Sequence, residues 1–200
     1  MTSAIKSLNL EWVGLSGIKN SNKLAILRDP FKRFISSYSY IRQIGRAQKS
    51  QYESVVRPLS PDTEQNLWDS PLLDGAEFYL KELEGDGFFD SHNLPQIWWL
   101  DEKYGEEFIA QCPTNYHNCH QHLERIQERS LDKITHFAQF EDLNQELAKI
   151  AGPEYTIQHI NPGNSANKNL LQSFVKQNAS RIEKLYQRDF RLYKKFILDK

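Results

Sequence analysis

Four side chains within one short stretch suit a phosphate dianion. The stretch is Leu24–Ile41, LAILRDPFKRFISSYSYI, and the residues are Arg28, Arg33, Ser36 and Ser37. Arg33 precedes Ser36 by three positions and Ser37 by four. On a helix the three share one face, opposite the stripe Phe31, Phe34, Tyr38 and Ile41. A guanidinium offers two parallel N–H donors and a serine hydroxyl a third, and a charged hydrogen bond to phosphate contributes about 1.5–3 kcal/mol. Spacing alone leaves two plainer roles open: Arg33 pairing with a surface carboxylate, and Arg28 capping a helix C-terminus.

His92 is the candidate general base, because an imidazole titrating near neutrality can take a proton from a hydroxyl. A loop histidine beside Pro95 is the plainer alternative. Cys112, His117, Cys119, His120 and His122 invite a zinc reading, but C-x4-H-x-C matches no common structural zinc spacing and no second C-x-x-C is present. Free thiols with surface histidines are expected, and no metal. Trp98 and Trp99 offer a face for a sugar ring, or belong to the core. Glu141 and Asp142 read as an acid/base pair or as the acidic residues a helix start favours. Lys168 reads as a solvated lysine, with an approach to an anionic ligand as the alternative.

These residues need a scaffold that delivers them to one place. Lys23–Arg28 reads as a short buried strand, which would put Arg28 at its C-terminal end, where open α/β sheets hold their ligands. Asp29-Pro30 is a helix start, with Asp as cap and Pro in the first turn. Positions 45–75 carry Gly45, Pro58, Pro61 and Pro71 and read as a long irregular or partly helical excursion. Asp74–Leu83 predicts a helix ended near Gly85 and Gly87, Asn93–Tyr104 a strand or short extended segment, and Cys119–Arg129 a helix. Lys133–Phe140 alternates like a strand, and Glu141–Ile150 reads as the helix after it, stopped by Gly152-Pro153. Residues 155–167 read as a loop. Leu170–Phe196 carries one long amphipathic pattern. Strands alternating with helices make this an α/β protein.

The whole-chain numbers exclude several classes. Two hundred residues fit a single domain spanning 1–200, with 39% hydrophobic and 26% charged residues. A net charge of −1 supplies no basic field for nucleic acid, so any anion site is local. No apolar run approaches the roughly 18 residues that span a bilayer, and Met1–Leu10 lacks a secretory layout. With only two cysteines the chain is no disulfide scaffold. The expectation is a soluble, cytoplasmic protein.

Arg28-Asp29-Pro30-Phe31-Lys32-Arg33-Phe34-Ile35-Ser36-Ser37-Tyr38 closely resembles the R-x-P-x-x-R-x-x-S-x-Y element of carbohydrate sulfotransferases. Further segments resemble that family in the same order: His92-Asn93-Leu94-Pro95-Gln96 its H-x-x-P-Q, and Ile134–Leu143 (ITHFAQFEDL) its strand ending in F-E-D-L. His159-Ile160-Asn161 resembles its H-x-N turn and Leu185–Phe190 (LYQRDF) its closing L-Y-x-x-D-[FY] helix. The resemblance implies a parallel-sheet core flanked by helices, related to nucleotide kinases. It implies 3′-phosphoadenosine 5′-phosphosulfate (PAPS) as sulfate donor, with Arg28 and Ser36 on its 3′-phosphate and Arg33 supporting the loop. It further implies a carbohydrate or glycan as acceptor.

The family's other donor element is a strand-to-helix loop of Lys and Gly that wraps the 5′-phosphosulfate. Gly14–Lys19 (GLSGIK) contains Gly, Ser and Lys but does not match it and lies too close to Arg28. The expectations are an N-terminally incomplete domain or, as the alternative, a relative that keeps the 3′-phosphate half-site without turnover. A kinase is disfavoured, since no G-x-x-x-x-G-K-[ST] loop occurs.

Overall fold

The computed structural model describes residues 24–47, 59–90, 92–110, 130–153 and 165–199. Two strands, β1 (Leu24–Leu27) and β2 (His136–Gln139), pair in parallel with Leu24 opposite His136 and Leu27 opposite Gln139. Helices surround them, so the described residues are mostly helical around a small parallel sheet. Ala25 and Leu27 turn into a core shared with Phe137, Leu94, Ile97, Trp98 and Leu192.

β1 runs directly into helix α1 (Pro30–Ala47). Asp29 Oδ1 accepts the Lys32 N–H at 3.0 Å, and Pro30, which has no N–H to satisfy, opens the first turn. The stripe Phe34, Tyr38 and Ile41 is buried in a second core with Tyr79, Leu80, Phe174, Ile182 and Tyr186. Each large apolar side chain buried there contributes about 1.5–3 kcal/mol.

The excursion at 45–75 contains helix α2 (Pro61–Asp69), capped by Ser60 Oγ on the Thr63 N–H at 3.1 Å. Helix α3 (Leu72–Gly85) begins two residues before Asp74. Asn93–Tyr104 is not extended. A turn leads into the single-turn helix α4 (Ile97–Leu100) and then α5 (Glu102–Ile109), because carboxylates cap both starts: Asp189 for α4, and Asp101, on the Lys103 N–H at 3.1 Å, for α5. After β2 come a 3₁₀ turn at Phe140–Asp142 and helix α6 (Leu143–Ala151), which stops at Gly152 with φ 118°, a conformation that favours glycine.

The closing amphipathic run is three helices, α7 (Ser165–Gln177), α8 (Ala179–Leu185) and α9 (Gln187–Tyr193), with a π turn at Lys194–Leu198. α1 packs against α2, α7, α8 and α9. The sequence readings at Cys119–Arg129, at 155–164, at Gly14–Lys19 and at the Cys/His cluster lie outside the described residues. Among the described residues no helix is long and apolar enough to cross a membrane.

Candidate functional site

Arg28 leaves the end of β1 with its main chain held on both sides. The Gln96 side chain accepts the Arg28 N–H at 2.8 Å and donates to the Arg28 carbonyl at 2.8 Å. The guanidinium carbon stands 4.8 Å above the Phe140 ring, a cation–π contact. Its Nε is buried without a hydrogen-bond partner among the described residues. Burial lowers the Arg28 pKa and the Glu141 charge opposes it. Glu141 itself pairs with Lys32 at 3.0 Å. Arg28 therefore precedes a helix N-terminus, and its guanidinium neither caps a carbonyl nor pairs directly with a carboxylate among the described residues.

Arg33 donates through Nη2 to the Leu94 carbonyl, and its Nε is likewise buried without a partner. It braces the turn at 92–96, and among the described residues it pairs with no surface carboxylate. Ser36 lies half-buried on the same face of α1. Ser37 does not join it. Its hydroxyl is buried, bonds the Phe34 carbonyl at 3.1 Å and shares a 2.9 Å hydrogen bond with the Tyr79 hydroxyl. The i+4 relation to Arg33 is real, but the neighbouring apolar stripe takes Ser37 inward.

One turn beyond Ser36, the Tyr40 ring lies 3.9 Å from the ring of His92, centroid to centroid. His92 Nδ1 lies 2.9 Å from Asp90 Oδ1, which also accepts the His92 backbone N–H at 2.8 Å. Asp90 is fully buried, and its Oδ2 has no partner among the described residues. Burial first, then the Asp90 charge, push the Tyr40 hydroxyl pKa up. Arg28, Arg33, Ser36, Tyr40 and His92 thus gather along β1, the outer face of α1 and the turn at 92–96.

A family model described as Sulfotransferase family matches residues 10–196. The chain belongs to the sulfotransferase family. No curated protein and no solved structure matches it.

Family membership assigns sulfuryl transfer as the general chemistry, and the sulfotransferase's motif residues fall around one turn. Gln96 of H-x-x-P-Q holds Arg28, while Asp189 of L-Y-x-x-D-F is fully buried and accepts the Gln96 and Ile97 N–H groups at 2.7 and 3.0 Å. Burial raises the Asp189 carboxyl pKa, against nearby Arg33 and the amides it accepts. Tyr186, also buried, donates to the Asn93 carbonyl at 2.9 Å. Residue types alone pointed to the arginines and the histidine; Gln96 and Asp189 were visible only as motif positions without a task.

Other candidates settle elsewhere. Trp98 is core, edge-on to Phe88 at 5.2 Å. Glu141 is occupied by Lys32 and by Gln139 at 3.1 Å, and Asp142 is exposed. Lys168 is exposed on α7. Among the described residues no group of His, Cys, Asp or Glu is placed to hold a metal.

Proposed function

We propose that this sulfotransferase moves a sulfuryl group from PAPS to a carbohydrate hydroxyl, with Arg28 and Ser36 on the donor's 3′-phosphate, Arg33 supporting the loop and His92 as general base. The supporting observation is Arg28: a desolvated guanidinium at a strand end, with a buried Nε that has no hydrogen-bond partner among the described residues. Leaving charged donors unsatisfied is costly unless a ligand completes them, and a phosphate dianion matches their geometry and charge. When bound, the donor supplies the phosphosulfate bond that is broken. Arg28 and Ser36 orient it, and the buried setting strengthens each charge contact. The motif order from Arg28 to Phe190 supports the carbohydrate class of acceptor.

Titrating adenosine 3′,5′-bisphosphate into the protein calorimetrically, beside Arg28→Ala, tests the donor site. Micromolar binding abolished by the substitution is expected; no binding to folded protein would sink the assignment. A half-site without turnover is the second reading, favoured by the mismatch of Gly14–Lys19 to the family's 5′ loop. Binding without transfer to any glycan would select it.

A further inference from the structure

We infer that Asp90 is a positioning residue that holds His92 as the Nδ1–H tautomer, making Nε2 the atom that receives the acceptor's proton. This rests on the sulfuryl-transfer reading above for its chemistry, but its geometry stands alone. An ionised carboxylate can only accept hydrogen bonds. With Asp90 as the carboxylate, His92 Nδ1 at 2.9 Å from Oδ1 is the donor, and the lone pair of the neutral ring then lies on Nε2.

A turn-closing aspartate would explain the 2.8 Å bond to the His92 backbone N–H, but that bond alone does not require the ring to fold back on the same oxygen. Three further observations favour a held base. Asp90 is fully buried while the His92 side chain is 39% exposed, so the pair runs from the interior to an open edge. The Tyr40 ring, tilted 37° at 3.9 Å, fixes the plane of the imidazole from α1. Asp90 Oδ2 is buried without a partner among the described residues, and Oδ1 is where the His92 ring and backbone N–H both meet the carboxylate. A desolvated carboxylate behind a histidine stabilises the imidazolium that forms as the ring takes a proton.

Among the described residues, Tyr40 from α1 and Tyr79 from α3 are titratable groups that feel the Asp90 charge. Burial raises both phenols above the ordinary tyrosine value, which keeps them neutral near pH 7. In the transfer step the acceptor O–H proton moves to Nε2 as the oxygen bonds to sulfur. The S–O bond to the donor's 5′-phosphate breaks, and its electron pair stays on the phosphate oxygen. The imidazolium then returns its proton to solvent.

Long-range ¹H–¹⁵N spectra of the ring nitrogens read the tautomer in the unmodified protein, with no variant and no turnover required. In the neutral ring a protonated Nδ1 and an unprotonated Nε2 are expected, shifting toward the Nε2–H form in Asp90→Asn. An Nε2–H ring in the unmodified protein, or an unchanged tautomer in folded Asp90→Asn, would overturn the inference. Kinetically, Asp90→Asn should lower kcat by about 10²–10⁴-fold with little change in KM. Full turnover in His92→Ala would overturn Nε2 as base. An Nδ1–H ring in a protein that transfers nothing would defeat the sulfuryl-transfer reading and leave the Asp90–His92 arrangement standing.

Discussion

Gln96 grips the main chain of Arg28 as a neighbouring strand would, its Oε1 taking the N–H and its Nε2 giving to the carbonyl, each at 2.8 Å. Arg28 has just left β1, where the ladder with β2 ends at Leu27. Its peptide groups are half-buried there and need partners. A single side-chain amide provides both and fixes the direction in which the guanidinium leaves the strand.

Gln96→Ala removes both bonds at once. Stability in urea should fall by about 1–3 kcal/mol, and adenosine 3′,5′-bisphosphate should bind at least tenfold more weakly. Unchanged affinity alongside the stability loss would mean that the amide serves folding only.

Ser36 and Ser37 should separate cleanly. Ser37→Ala strips a buried hydrogen bond from Tyr79 and should cost about 1–2 kcal/mol in denaturant while the nucleotide still binds. Ser36→Ala, on the half-buried outer face, should leave stability within about 0.5 kcal/mol and weaken nucleotide binding. Parallel calorimetry and urea melts read both.

Gly75 lies where α3 crosses α1. A methyl group there would stand within 3.0 Å of Arg42, the Tyr38 hydroxyl and the Leu67 carbonyl. Tyr38 is fully buried and bonds the Leu72 carbonyl at 2.7 Å, so it has no room to retreat. Overpacking of about 1–3 kcal/mol outweighs the gain of about 1 kcal/mol in helix propensity. Gly75→Ala should therefore melt at lower temperature; a rise would contradict the crowding.

Glu84 accepts from Nε and Nη2 of Arg181 at 2.8 and 2.6 Å, and these bonds hold its carboxyl pKa below the ordinary value. A folded pKa below the unfolded one means stability that is complete above the ordinary carboxylate range. It is lost as pH falls through the lowered value. Thermal melts from pH 6 to pH 3 should decline less steeply in Glu84→Gln than in the unmodified protein. Identical slopes would remove Glu84 from the acid response.

The β1–α1 unit was legible because its determinants are contiguous. A buried strand, an Asp-Pro start and a 3.6-residue stripe follow one another in the chain, and each forms, the strand over Leu24–Leu27 with Arg28 just past its end. The turn at 92–96 was not, because Ile97-Trp98-Trp99-Leu100 has the apolar density of a strand. A carboxylate from residue 189, which no local pattern reveals, caps it into a helix. Ser37 was misread for a related reason: helical spacing gives the angle around α1, but only the tertiary partner Tyr79 shows which side of the boundary the hydroxyl occupies. The long run from Leu170 to Phe196 kept its amphipathic period while the helix broke at Asn178 and Tyr186, since periodicity does not record a change of axis.

The contact from Arg28 to Gln96 spans 68 positions and that from Gln96 to Asp189 a further 93, although Arg28 directly follows the first described strand. Contacts this distant close late, because loop entropy must be met before they reward the chain. On the ribosome, the arginine proposed for the phosphate emerges well before the residues that hold it. A nascent chain released before residue 189 would carry every proposed ligand-binding side chain and still lack the support that aims them. On the proposed assignment, ligand capture is thereby reserved for chains translated through α9.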